Sequence, residues 1–111
     1  MERVSDKQKI LIVDDSEMNR SILADMLGDE YEILEAENGS EGVAMLQTRG
    51  SEISLVLLDI VMPGLDGFGV LNMMNKNGWI EDIPVIMISA ESGSSHVERA
   101  FDLGVTDFIS R

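Results

Sequence analysis

Short blocks of branched apolar side chains recur along the chain, separated by segments whose apolar positions return every three or four residues. Ile10-Leu11-Ile12-Val13 and Leu55-Val56-Leu57-Leu58 contain no polar residue, the pattern of strands buried on both faces. Tyr31 to Ala36 mixes apolar residues with Glu32 and Glu35 and predicts an edge strand. Pro84 to Ser89 predicts a fourth strand, with proline tolerated at its first position. Asp107 to Ser110 predicts a short fifth strand at the end of the chain.

The intervening segments predict helices. Ser16 is a candidate N-cap for a helix running to about Leu27, with Met18, Ile22, Leu23, Met26 and Leu27 as its apolar stripe and Gly28 as its stop. Asn38-Gly39-Ser40 opens a second helix to about Gln47, and Gly50 lies just beyond it. Pro63-Gly64 reads as a turn, Asp66-Gly67 as a helix start, and a third helix reaches about Asn75. A polar loop, Glu91 to Ser95, leads to a fourth helix ending at Leu103-Gly104. Strands alternating with helices argue for parallel βα units and an α/β fold with a doubly wound sheet. Five strands are accompanied by only four helices, although such a sheet needs helices on both faces.

The 111 residues make one domain with a real core. Residues 1–8 read as a lead-in and 9–111 as the domain. With 21 acidic and 8 basic residues the net charge is −13, which argues against direct nucleic-acid binding and against docking on an anionic membrane. No apolar stretch approaches membrane-span length, no secretory leader is evident, and there is no cysteine. A cytoplasmic location is the expectation. Trp79 is expected to cap an edge of the core, and His96, the single histidine, to be solvated on a surface helix.

The chemistry lies at the strand ends. Asp14 and Asp15 directly follow the first apolar run and Asp59 directly follows the third strand. In a parallel sheet these acids meet at the carboxyl edge, where open α/β folds place their sites. Two unit charges ~4 Å apart repel by ~4 kcal/mol at an effective dielectric near 20, so such a cluster calls for a divalent cation. Oxygen-only ligands suit Mg²⁺. Ser89 after strand four and Arg111 after strand five add a hydroxyl and a cation suited to phosphoryl oxygens. Together these residues suggest phosphoryl transfer to a carboxylate.

With these residues in place the chain resembles the receiver domain of bacterial two-component response regulators. The matching segments are Lys9-ILIVDD-Ser16, LVLLDIVMPGLDG from Leu55 to Gly67, PVIMISA from Pro84 to Ala90 and GVTDFISR from Gly104 to Arg111. The resemblance implies a flavodoxin-like strand order 2-1-3-4-5 and a phosphoacceptor switch. Asp59 takes a phosphoryl group from a histidine kinase or phosphotransfer protein. Asp14, Asp15, Asp59 and the backbone carbonyl of Val61 hold Mg²⁺. Ser89 and Phe108 are the switch residues, and Val61 and Glu91 flank the site. The implied domain is not an enzyme with an external product. It acts on a C-terminal output domain or a separate effector, and a homodimer is an alternative assembly.

The chain departs from the family in two ways. Arg111 stands where a lysine followed by proline is usual, and arginine is larger and planar, so an altered phosphate geometry is expected. The family's final helix is missing, which would leave apolar side chains of strands one, three and five bare on one side. A portion of a longer protein is the expected explanation, with self-association of a native 111-residue chain as the alternative. The competing functions are an Mg²⁺-dependent aspartyl-phosphate phosphohydrolase, a flavin mononucleotide protein and a docking module not regulated by phosphorylation. The first usually spaces its two aspartates by one residue and carries a cap. The second needs a neutral phosphate loop, and the complete acid triad disfavours the third.

Overall fold

The computed structural model describes residues 7–90 and 93–110. Arg111 and Glu91 therefore lie outside the described residues. Five strands, β1 (Lys9–Val13), β2 (Glu32–Ala36), β3 (Ile53–Leu58), β4 (Val85–Ser89) and β5 (Asp107–Ser110), form one all-parallel sheet in the order β2-β1-β3-β4-β5. The helices are α1 (Glu17–Leu27), α2 (Gly39–Arg49), α3 (Gly67–Lys76) and α4 (Ser94–Asp102). This is the doubly wound, flavodoxin-like order expected from the sequence. The winding reverses between β1 and β3, and the crevice outside their carboxyl ends is where such sheets receive ligands.

Side-chain alternation sorts the sheet's two faces. Leu11, Val13, Val56 and Leu58 point into the main core with Leu46 of α2 and Phe68, Leu71 and Met74 of α3. Ile10, Ile12 and Leu57 point the other way, against Leu23 and Leu27 of α1. The caps are those the sequence proposes. Ser16 Oγ accepts from the Asn19 N–H at 3.2 Å, Asn38 Oδ1 from Glu41 at 2.8 Å, and Asp66 Oδ1 from Gly69 at 2.9 Å. Each satisfies an N–H that the first helical turn leaves open.

Several boundaries differ from the pattern. α2 runs on to Arg49, because nothing before Gly50 breaks it, and a 3-10 turn (Gly50–Glu52) then leads into β3. α4 begins at Ser94, inside the segment expected to be loop. The fourth strand starts at Val85, while Pro84 still contributes its carbonyl to the Val56 N–H at 3.0 Å.

Two expectations about exposure need correction. The apolar positions of α1 span roughly 180° of the helix at 3.6 residues per turn, wider than the sheet can cover. Leu23 and Leu27 pack on it, but Met18, Ile22 and Met26 are 71%, 50% and 73% exposed. The bare sheet face matches the expectation only at β5, where Ile109 is exposed. Ile10, Ile12 and Leu57 on β1 and β3 are buried under α1, and the open part extends instead to the half-buried Ile86 and Ile88 of β4. These residues border a groove of about 460 Å³ together with Leu23, Met26 and Leu55. No described helix is long and apolar enough to cross a membrane.

Candidate functional site

Register brings the acids together. Val13 pairs with Leu58, so Asp14 and Asp59 leave neighbouring strands at the same level. The Asp59 N–H still donates to Val13 O at 3.0 Å, and the Asp14 N–H to Ala36 O at 3.1 Å. Asp15 projects from the turn into α1. One carboxylate oxygen from each of Asp14, Asp15 and Asp59 lies within 4.8 Å of the others. Asp14 and Asp59 are buried and Asp15 is exposed.

Backbone donors fix the two buried carboxylates. Asp14 Oδ1 accepts from the Ser16 N–H at 2.9 Å, and Asp59 Oδ1 from the Ile60 N–H at 2.9 Å. These bonds orient the acids and partly offset their charge. With these oxygens no more than 4.8 Å apart, each pair repels by about 3.5 kcal/mol or more at an effective dielectric near 20, less where water reaches Asp15. Three anionic oxygens converging on one point, one open to solvent, form a donor set suited to a hard divalent cation.

The loop after β3 folds back on the Asp59 backbone. The chain bends at Pro63-Gly64 as expected, with Gly64 at φ 75°, in the left-handed region that glycine enters without strain. Gly67 does more than start α3. Its N–H bonds Ile60 O at 2.8 Å, and an added Cβ would stand 2.3 Å from Asp59 O and 2.8 Å from Ile60 Cα. Both are backbone atoms that cannot swing aside. Gly67→Ala is therefore expected to destabilise the fold by about 3 kcal/mol, the upper range for overpacking, read as a lowered urea midpoint. An unchanged midpoint would show that this loop yields freely.

The other residues singled out are placed around the acids. Ser89 ends β4 and is almost fully buried, one residue beyond the level of Asp59, since Leu58 pairs with Met87. Phe108 lies opposite Met87 on β5, half-buried against the main core. Val61 lies two residues after Asp59 on the loop and is 58% exposed. The cation role expected of Arg111 falls outside the described residues. Trp79 packs half-buried against the core in a 3-10 turn (Trp79–Glu81) ahead of β4, at the end of the sheet remote from the acids.

His96 is not simply solvated. Its ring stacks on Phe68, with centroids 6.0 Å apart and planes 16° apart, and the Arg99 guanidinium lies 4.2 Å from the same ring's centroid. One turn of α4 is thereby seated on the start of α3, because buried Phe68 presents its face there. Arg20 carries no site signal in the sequence, yet it reaches the acids. Its Nη1 donates to the Asp14 carbonyl at 2.8 Å and its Nε to Glu35 Oε1 at 3.0 Å.

A βα sheet with three carboxylates at its switch point defines a class, and comparison with known proteins makes it specific. The family profile of the response regulator receiver domain matches residues 10–111. The chain belongs to that family. It is 38% identical over 100 residues to a probable cyclic di-GMP phosphodiesterase of Vibrio cholerae, covering 90% of this chain and 22% of that protein. It is also 38% identical over 104 residues to the probable transcriptional regulator ycf27 of Pyropia yezoensis, covering 93% and 41%. The chain thus spans less than half the length of these relatives. Among solved structures, the Vibrio cholerae chemotaxis protein CheY4 superposes with a TM-score of 0.85 at 24% identity, over 95% of this chain and 87% of that one. The CheX–CheY–BeF3–Mg²⁺ complex of Borrelia burgdorferi matches with a TM-score of 0.81 at 31% identity, over 93% and 77%.

Proposed function

We propose that this domain is a Mg²⁺-dependent phosphoacceptor switch in which Asp59 receives a phosphoryl group from the phosphohistidine of a histidine kinase or phosphotransfer protein. The observation that carries this reading is the convergence of Asp14, Asp15 and Asp59 oxygens within 4.8 Å at the sheet's switch point. Asp14, Asp15, Asp59 and the Val61 carbonyl would hold the cation, whose bound charge offsets that of the acids and of the incoming phosphoryl group. The related structure solved with Mg²⁺ and BeF3 supports this assignment.

The Oδ2 oxygen of the Asp59 carboxylate attacks phosphorus, the P–N bond to the donor's imidazole breaks, and an acyl phosphate forms. Asp59 Oδ1 stays oriented by the Ile60 N–H. The Ser89 hydroxyl, at the end of the neighbouring strand, donates to a phosphoryl oxygen and draws the segment after β4 inward. Arg111 would supply positive charge for the phosphoryl group. Phe108 and α4 then shift between two packings, presenting a changed face to an output domain or effector. The domain assists its own phosphorylation and dephosphorylation without releasing another product, and it works in the cytoplasm.

Incubation with Mg²⁺ and acetyl phosphate is expected to add one phosphoryl group per chain by intact mass spectrometry, and EDTA to prevent it. A protein that binds Mg²⁺ by calorimetry yet acquires no adduct would overturn the reading.

A further inference from the structure

We propose that Arg20 is a positioning residue of the acidic site, holding the Asp14–Asp15 peptide in the orientation that turns both carboxylates toward the cation. The inference rests on the metal-dependent reading above and assigns a role to a residue outside the acid set. The Asp14 carbonyl and the Asp15 N–H share one rigid peptide plane. Its tilt sets the directions in which the two Cα–Cβ bonds leave the chain, and so whether the two carboxylates converge.

At this point the ladder no longer fixes the plane, because β1 ends at Val13. The Asp14 N–H remains tied to Ala36 O at 3.1 Å. Its carbonyl receives Arg20 Nη1 at 2.8 Å. The guanidinium is itself anchored, since Nε donates to Glu35 Oε1 at 3.0 Å and the Arg20 side chain is only 11% exposed. The Arg20 backbone N–H is fixed by Ser16 O at 3.0 Å. α1 and β2 thus clamp the turn from two sides.

The clamp needs arginine. A planar fork with separate donors can reach a carbonyl and a carboxylate at once, whereas an ammonium is a single point on a flexible stem. Glu35 accepts one arm and thereby aims the other. Arg20 also places positive charge behind the acids, and the two contributions can be separated by substitution.

The test compares wild type with Arg20→Ala, Arg20→Lys and Glu35→Gln. Mg²⁺ affinity is measured by calorimetry, phosphorylation rate with acetyl phosphate at saturating Mg²⁺, and amide resonances by NMR in the metal-free proteins. Arg20→Ala is expected to weaken Mg²⁺ binding by tenfold to a hundredfold, the range for residues supporting metal ligands. It should also shift the metal-free Asp15 and Ser16 amide resonances, while resonances of β4 and α3 stay in place. Arg20→Lys should recover only part of the affinity, and Glu35→Gln should lose several-fold.

Full recovery in Arg20→Lys would reduce Arg20 to a charge and overturn the positioning role. So would wild-type affinity in Arg20→Ala. Should Arg20→Ala fail to fold, the lysine and glutamine variants decide by the same readouts. A wild type that neither binds Mg²⁺ nor accepts a phosphoryl group would defeat the functional reading and this proposal with it. A functional wild type with unaffected variants defeats this proposal alone.

Discussion

Asp59→Asn is expected to lose phosphoryl acceptance from acetyl phosphate by at least a hundredfold, about 2.7 kcal/mol or more of transition-state free energy. The substitution is nearly isosteric, and an amide oxygen can still accept the Ile60 N–H that Asp59 Oδ1 accepts at 2.9 Å. The fold should therefore survive. What disappears is the anionic oxygen that attacks phosphorus, and a neutral amide is a far poorer nucleophile. Stability should hold or rise, because one charge leaves a cluster whose oxygens lie within 4.8 Å. Intact mass after timed incubation reads the rate, and urea unfolding reads the fold. Labelling of the variant at the wild-type rate would move the acceptor elsewhere, and an unfolded variant would show that Asp59 is a structural residue first.

The acid site was legible because three independent signals pointed to one edge of the sheet. Unbroken apolar runs marked β1 and β3 as interior strands, their last residues marked the carboxyl ends, and the acids follow immediately. Ser16, Asn38 and Asp66 stood at helix starts, where their short side chains bond open N–H groups. What escaped depends on atoms that sequence does not display. Arg20 reads as an ordinary polar position on α1, and its partner is a backbone carbonyl, which no residue type signals. Gly67 reads as a helix start, whereas its necessity comes from the Asp59 and Ile60 backbone lying against it. Met18, Ile22 and Met26 fit a helical stripe, but periodicity does not say how wide a face the sheet can cover. His96 looked solvated because its partner, Phe68, lies on another helix.

The supports around the acids suggest how a cluster unfavourable by itself is kept in place. Ser16 and Ile60 N–H groups bond the carboxylates, and Arg20 bonds the carbonyl between Asp14 and Asp15. These contacts set geometry more than they remove charge, since the N–H dipoles are neutral and Glu35 balances the guanidinium. The remaining repulsion is stored in the metal-free fold and becomes available to a cation. Stability and metal binding should therefore trade against each other at this site.

Asp14→Asn is expected to expose that trade. Without Mg²⁺ the variant should be about 1–2 kcal/mol more stable than wild type, a fraction of the repulsion it relieves in its two pairs with Asp15 and Asp59, because solvent screens exposed Asp15 and an amide oxygen accepts a weaker hydrogen bond from the Ser16 N–H. For a domain of this size that raises the melting temperature by roughly 4–8 °C. With Mg²⁺ the order should reverse. A ligand at 100 times its dissociation constant stabilises the folded state by about 2.7 kcal/mol, so wild type should gain that much at such a concentration. The variant lacks one of three carboxylates and should gain little there. Thermal melts with Mg²⁺ and with EDTA give all four values. Equal Mg²⁺ gains in both proteins would remove Asp14 from the cation site. A variant less stable than wild type in EDTA would show that the Asp14 carboxylate is held more by its neighbours than it is repelled by Asp15 and Asp59.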